Sequence, residues 1–377
     1  MTDVLLVLNA GSSSVKFQIF GCTPDLPRLA TGSVTGIGTA PILKATHDET
    51  GNSIKVDLPM EATQRHSVQK ITEWVETLNT GWKVYAVAHR FVHGGDEFYE
   101  PMFITSKVFH KLKKLIPLAL LHQPHHLSAV GVVAMALPFV PQIACFDTAF
   151  HATQEEKLRS FAIPKKFYDQ GVHRYGFHGL SYAWAAQVMK KEYPDLAKGR
   201  VVVAHLGNGS SLCAIKNGKS IDTTMGMSVI DGLPMGTRCG AIDPGVTFYL
   251  MREYKMSMEQ VENLYYKESG LKGLSGISND VKALLDSKEP RAKFALDYFA
   301  MWIAKYIAAM AASMGGIDGI VFTGGIGENA TPVREAILNN LTFMKIPRVV
   351  IIPANEERYM AEQAMVCMAN RGKIKAA

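Results

Sequence analysis

Two rhythms of apolar and polar positions organise the chain. Val4 to Leu8 is an unbroken apolar run of the kind that fills a buried strand. Asn9-Ala10-Gly11-Ser12-Ser13-Ser14 breaks it, and Val15 to Phe20 resumes with the alternation of a strand that has one wet face. Strand, small polar turn and strand predict a hairpin. Arg200 to Ser220 (RVVVAHLGNGSSLCAIKNGKS) does the same: the run Val201 to Ala204 breaks at Leu206 to Ser211 and returns as Leu212 to Ile215. Gly11-Ser12-Ser13 and Gly209-Ser210-Ser211 occupy matching places about half the chain apart, which points to two copies of one domain rather than an array of short repeats.

The rest of the pattern is strands alternating with helices. Leu29 to Gly38 reads as a third strand, and Ala40 to Gln64 is polar and turn-rich, a hairpin with loops. Ser67 to Leu78 has helical spacing, with Ile71, Trp74, Val75 and Leu78 on one face. Val84 to Val92 is a buried strand that runs into His93-Gly94-Gly95. Val108 to Ile116 and Ser128 to Leu137 read as helices closed by Pro117 and Pro138, and strand Gln142 to Phe146 delivers Asp147. After the second hairpin comes a Gly/Met-rich loop, Met225 to Gly245, then helices over Val246 to Tyr254, Met258 to Lys267, Asp280 to Asp286 and Glu289 to Met314. Strand Gly319 to Thr323 enters a glycine-rich connection, Gly324 to Asn329. A helix near Val333 to Leu341, strand Val349 to Pro353 and a helix from Asn355 complete the chain. The expectation is an α/β fold with mixed sheets, because each half opens with hairpins.

At 377 residues the chain is too long for one core and comfortable for two domains. Its 47% hydrophobic and 20% charged content is that of a soluble globular protein. The net charge of +6 is scattered, without the basic stripe of a nucleic-acid binder. The five cysteines are widely spaced with no C-x-x-C, and no signal-peptide pattern opens the chain, so a cytoplasmic protein is expected. Phe294 to Met314 is the most apolar helix. Lys305 interrupts it and glycines flank it, so it reads as a core or dimer-interface helix rather than a membrane span.

The first turn carries an amide (Asn9), a glycine, the hydroxyls of Ser12, Ser13 and Ser14 and, two residues on, Lys16. That set suits a polyphosphate and its metal, although a serine-rich surface turn would look the same. Its recurrence in the second hairpin favours a nucleotide clamped between two domains. The 12 histidines show no zinc spacing. Gly325 to Ala330 matches G-x-G-x-x-A, yet it lies late in the chain and no acid ends the next strand, which argues against a dinucleotide fold.

The strings NAGSSSVKF, HRFVHGG, CFDTAFH, RYGFHG, HLGNGSS, GTRCGAIDPG, FTGGIGEN and IPANEE occur in this order over nearly the full length. Together they resemble the acetate kinase family (acetate and propionate kinases) of the acetate-and-sugar-kinase, heat-shock-chaperone and actin superfamily. The resemblance implies two duplicated ribonuclease H-like (actin-like ATPase) domains, each a mixed sheet flanked by helices, with the active site in an interdomain cleft. Residues 1–149 plus 357–377 would form one domain; residues 150–356 would form the other, with most nucleotide contacts. It implies reversible transfer of the ATP γ-phosphoryl group to acetate, giving acetyl phosphate and ADP, in a homodimer with no nucleic-acid or membrane partner. By the same resemblance Arg90 binds the carboxylate, Arg238 and His178 stabilise the phosphoryl group in flight, and Asp147 is the family's catalytic aspartate. An ionised acetate needs no general base, so Asp147 is expected to orient Arg90 and the metal shell. Arginine suits both anionic partners because its planar fork meets their oxygens in pairs. Val92, Leu121, Phe177 and Val229 would line an apolar acyl pocket. Asn9 and Glu356 would hold Mg2+, with Mn2+ able to substitute; they come from opposite ends of the chain, so closure is expected to complete that site. Lys16, Ser12 and Ser14, the run His205-Leu206-Gly207-Asn208-Gly209, Asp280-Val281-Lys282 and Gly325-Ile326-Gly327-Glu328-Asn329 would bind ATP or ADP.

Departures from the family pattern are Lys282 for an arginine, Gln123 for an asparagine, Val229 for a proline, and a shorter Leu341 to Val350 segment. A superfamily ATPase would share the hairpins but not the Arg90 and Arg238 pair. A sugar kinase would need polar pocket residues where Val92, Phe177 and Val229 stand, and a butyrate kinase would differ only in pocket size.

Overall fold

The structure is a computed structural model that describes residues 2–11, 13–77 and 81–374. The chain forms two compact units, Met1–Ala149 with Asn355–Ala377, and Phe150–Ala354. Asn355 and Glu356, assigned from sequence to the second domain, therefore belong to the first unit.

The first unit is built on an eight-stranded mixed sheet. Its strands are β1 (Thr2–Ala10), β2 (Ser14–Gly21), β3 (Arg28–Thr35), β4 (Ile42–His47), β5 (Ser53–Asp57), β6 (Trp82–Phe91), β7 (Met102–Phe103) and β8 (Gln142–Phe146). Their order is β5-β4-β3-β2-β1-β6-β8-β7. The β1–β2 hairpin is antiparallel with Asn9 opposite Lys16, whereas β1–β6 and β6–β8 are parallel. Both faces of β1 are dry, Leu5 and Val7 being as buried as Val4, Leu6 and Leu8, whereas β2 alternates and leaves Lys16 exposed. Val4, Leu6 and Leu8 of β1, with Val15, Phe17 and Ile19 of β2, pack against Val68, Ile71 and Val75 of helix Gln64–Thr77 and Ala129, Val132 and Val133 of helix Gln123–Ala136. Trp74 meets Phe17 edge-on at 5.5 Å. Of the face expected on the first helix, Leu78 lies outside the described residues. Helix Gln123–Ala136 begins five residues before the expected Ser128, with Pro124 in its first turn, where a missing N–H costs nothing. The C-terminal helix Glu356–Ile374 lies against β1, β6 and β8 and buries Met360, Ala361 and Ala364.

The second unit carries β9 (Arg200–Leu206), β10 (Ser210–Lys216), β11 (Lys219–Thr223), β12 (Gly319–Thr323) and β13 (Val349–Ile351), ordered β11-β10-β9-β12-β13. Val202 and Ala204 face helix Pro290–Met314 through Phe299, Ile303 and Ile307; Val201 and Val203 face Tyr182, Ala185 and Met189 of helix Gly179–Glu192. Both faces of β9 are thus dry, which is why its sequence is an unbroken apolar run. The core order β3-β2-β1-β6-β8 of the first unit and β11-β10-β9-β12-β13 of the second are the same pattern: three antiparallel strands, then two added in parallel. The α/β class with two mixed sheets flanked by helices is as the sequence implied.

Three elements depart from the sequence reading. Gly179–Glu192 is a 14-residue helix that the pattern did not single out. Met258 to Lys267 divides into helix Met258–Asn263 and a π turn, Leu264–Glu268. The glycine-rich connection after β12 is itself a short helix, Gly324–Asn329. Arg334 donates to the carbonyls of Gly327 and Glu328 there, satisfying the end of a helix whose glycines alone would disfavour it.

Candidate active site

In the first unit the chemistry gathers at the carboxyl ends of the parallel strands, where α/β sheets place ligand groups. Asn9 and Arg90 are the penultimate residues of β1 and β6, and Asp147 follows β8. The Arg90 guanidinium forks onto Asp147: Nη2 donates to Oδ2 at 2.7 Å, and Nε lies 3.1 and 3.2 Å from the two carboxylate oxygens. Nη1 reaches Asn9 Oδ1 at 3.5 Å and Glu356 Oε2 at 3.4 Å. Asp147 is 1% exposed. Burial pushes its carboxyl up to about 6, a rise that the Arg90 charge and hydrogen bonds restrain. Burial works to lower Arg90, but the charges of Asp147 and Glu356 outweigh it and hold the guanidinium above its ordinary value. The arginine is therefore a fixed cation in a preset orientation.

Asn9 and Glu356 lie in one unit, not on parts that closure must bring together, which corrects the expectation for the metal pair. An amide oxygen and a carboxylate oxygen beside one guanidinium nitrogen are hard donors that fit Mg2+ with phosphate and water filling the remaining positions. Lys16 and Glu357 line a hollow of about 400 Å3 with Ser33 and Lys44. Ser14 opens β2, with its carbonyl accepting from Gly11 N, and Ser12 lies outside the described residues. Val92 is buried and Leu121 is exposed in the turn before helix Gln123–Ala136.

In the second unit three side chains meet over the β9–β10 turn. A Cβ built on Gly209 would stand 3.4 Å from both Arg238 Nη2 and His178 Nε2, so the two nitrogens converge close over this glycine. Arg238 Nη1 donates to the Val229 carbonyl at 2.8 Å. His178 has φ of 56°, a left-handed backbone that costs a non-glycine residue about 1–3 kcal/mol and is tolerated chiefly where function demands it. Its Nδ1 lies 2.8 Å from Ser211 Oγ, and its ring stacks on His205 with centroids 4.4 Å apart. His205 Nδ1 is in turn 2.8 Å from Ser181 Oγ. Asn208 Oδ1 accepts from Asn279 at 3.1 Å, which joins the β9–β10 turn to the segment leading into Asp280. Asp280 caps the next helix by accepting from Lys282 N at 3.1 Å. Leu206 and Val281 are buried in the core. Phe177 is buried, with its carbonyl 2.9 Å from His151 Nε2. Gly325 is open, Ile326 packs on the core, and Gly327 is buried. Glu328 accepts from Ala354 N and Asn329 donates to Gly325 O, so both side chains brace the short helix.

A family model described as "Acetokinase family" matches residues 4–370. The chain belongs to the acetokinase family. It is 40% identical to the acetate kinase of Nitrobacter hamburgensis over 98% of its own length and 97% of that relative. Among solved structures, it is similar to Porphyromonas gingivalis acetate kinase (35% identity, TM-score 0.87, 97% and 100% coverage). It is also similar to a Francisella tularensis propionate kinase (33%, TM-score 0.89, 96% and 98%). The fold is thus the duplicated ribonuclease H-like one of that family, and the chain is a kinase. ATP and ADP are the nucleotide substrates the family implies.

Some groups in the site of this acetokinase-family chain escaped the sequence reading. Ser211, Ser181 and Tyr182 support His178 and His205; the Tyr182 hydroxyl bonds Ser211 Oγ. Ser211 was visible only as half of a Gly-Ser-Ser turn, and the two others sit on the helix that the pattern did not single out.

Proposed function

We propose that the protein transfers the γ-phosphoryl group of ATP directly to the carboxylate of acetate, giving acetyl phosphate and ADP, an ATP:acetate phosphotransferase reaction. The observation that carries this reading is the convergence of Arg238 Nη2 and His178 Nε2 on Gly209. Phosphoryl transfer asks for donors aimed at the equatorial oxygens of the group in flight and for little covalent chemistry from the protein. Arg238 contributes charge and two N–H donors, and His178 a further donor in a fixed orientation. Arg90, held by Asp147, neutralises and orients the acceptor carboxylate. Asp147 abstracts no proton, because the acceptor is already ionised at neutral pH. Asn9 and Glu356 would hold Mg2+, which neutralises phosphate oxygens when bound; Mn2+ shares the preference for oxygen donors. The turn Gly207 to Gly209 supplies backbone for the phosphates, and Asp280 to Lys282 with Gly325 to Asn329 frame the nucleoside.

By the family resemblance Val92, Leu121, Phe177 and Val229 would supply the apolar contacts to the acyl group. One methylene there is worth about 1–3 kcal/mol, so propionate is the second candidate acid. Hydroxylamine trapping with acetate, propionate and butyrate ranks them: kcat/KM highest for acetate supports the reading, and highest for butyrate contradicts it.

We also infer a homodimer. Helix Pro290–Met314 carries a ladder, Phe294, Tyr298, Trp302 and Tyr306, with successive rings 5.8–6.3 Å apart, that runs from exposed Phe294 to Tyr306 packed against the core. Phe294 and Met301 are each 45% exposed, and helix Pro244–Glu253 adds Phe248 and Tyr249 at 58% and 54%. Apolar area of this kind suits a second copy of the chain. Sedimentation as a monomer at micromolar concentration would contradict it. The free cysteines fit a cytoplasmic location.

A further inference from the structure

Arg238 is held at two places by one irregular stretch of backbone. Leu264–Glu268 is a five-residue π turn, a rare form that concentrates at functional sites. Its carbonyls reach to both sides of the arginine: Tyr266 O accepts from Thr237 Oγ1 at 2.8 Å, and Tyr265 O accepts from Cys239 N at 3.0 Å. Ser269 N, just past the turn, donates to Thr237 O at 3.0 Å, and Ser269 Oγ closes the turn onto Leu264 O at 2.8 Å. The approach is so close that only glycine fits at position 270. It has φ of 61°, and a Cβ there would lie 2.0 Å from Met235 O and 2.7 Å from Arg238 O.

The second hold acts on the guanidinium. Burial raises the Tyr266 phenol, and Ser228 and the Arg238 charge both act to lower it. Ser228 precedes Val229, whose carbonyl takes Arg238 Nη1 at 2.8 Å. One tyrosine therefore bonds the residue beside Arg238 through its carbonyl and sets its phenol near the stretch that anchors the Arg238 head group. These contacts fix an arginine whose misplacement by about 1 Å would cost on the order of 10²-fold in rate.

We propose that the Leu264–Glu268 turn sets the position of Arg238, with Thr237 and Tyr266 as positioning residues for phosphoryl transfer. The inference rests on the reading of Arg238 as the arginine that stabilises the phosphoryl group. Thr237→Val removes the hydroxyl and keeps the shape; Tyr266→Phe removes the phenol hydroxyl near Ser228 and Arg238; Thr237→Ser restores the hydroxyl.

The experiment measures kcat, KM for acetate and ATP, and melting temperature for each variant of the full chain, alone and combined with Arg238→Ala. Thr237→Val and Tyr266→Phe should each lower kcat about 10-fold while both KM values stay within about twofold. Thr237→Ser should keep kcat near that of the parent. In the Arg238→Ala background the same changes should cost less than about twofold, because the group they position is gone. A loss that persists undiminished in the Arg238→Ala background, or that tracks a fall in melting temperature, is merely structural and overturns the proposal. So does an unchanged kcat in both single variants. Arg238→Ala with the kcat of the parent overturns the reading of Arg238 itself, a separate failure seen before any double variant is made.

Discussion

Replacing Gly209 by alanine adds one methyl group at the point where Arg238 and His178 meet. Its Cβ would stand 3.4 Å from Arg238 Nη2, 3.4 Å from His178 Nε2 and 3.6 Å from His178 Cε1. These are ordinary van der Waals separations, and Gly209 is not among the residues with positive φ, so the fold accepts the change at a cost within about 1 kcal/mol. A phosphoryl oxygen has a stricter requirement. It must come to about 2.8–3.0 Å from those nitrogens to be hydrogen-bonded. A methyl in the same space holds it off by roughly 1 Å, which in a transfer that depends on positioning is worth on the order of 10²-fold. Gly209→Ala should therefore lose about 100-fold in acyl-phosphate formation, measured by hydroxylamine trapping, and keep a cooperative melt within a few degrees of the parent. An alanine variant that melts like the parent and retains activity within about threefold would refute the placement of the reacting phosphate over this turn.

Further expectations concern charge. Asp147→Asn removes the carboxylate onto which Arg90 forks, leaving Glu356 as its ionised partner, and should lower kcat at least 10-fold. Because burial raises Asp147 to about 6, the parent enzyme should lose activity as pH falls through that value, and the asparagine variant should lack this limb in a kcat profile. Stability should also fall in acid. Burial pushes His89 in the first unit and His151 in the second down to about 4. Each is neutral when folded and takes a proton on unfolding below about pH 6.5, so the stability it contributes is complete above that pH and is lost as pH falls toward 4, about 3 kcal/mol apiece. Asp147 has the opposite sign, because its raised value makes the folded state bind a proton more tightly between pH 6 and 4, and it offsets part of that loss. Urea unfolding as a function of pH measures the balance; stability flat from pH 7 to 4.5 would contradict it.

The sequence was most legible where one local pattern decides the structure. The β1–β2 and β9–β10 hairpins are written in an apolar run, a small polar turn and a second run, and both appear with the turns in place. Arg90 and Asp147 stood at strand ends, yet their direct pairing depends on β6 and β8 being parallel neighbours, a relation between residues 57 positions apart. The nearness of Asn9 and Glu356 was harder still, because helix Glu356–Ile374 returns to the first sheet after the whole second unit has been built. Helix Gly179–Glu192 escaped notice because its buried side mixes Leu180, Ser181, Tyr182, Ala183 and Met189 and leaves almost no periodic contrast. Helix Gly324–Asn329 runs against its own propensity and is held by Arg334, a tertiary contact that no local window contains. The π turn behind Arg238 has no sequence signature at all; Tyr265 and Tyr266 look like ordinary helix residues.

The account stands most directly on one comparison: hydroxamate formation from ATP, Mg2+ and acetate by the parent protein and by Arg238→Ala, with ATP consumption followed in the same tubes. Loss of one donor to charge developing in transfer costs about 10²–10³-fold or more. The account predicts hydroxamate matched mole for mole by ADP in the parent, and both falling together by at least about 100-fold in the variant. ATP consumed without hydroxamate in the parent, or hydroxamate formed as fast by Arg238→Ala, would contradict it.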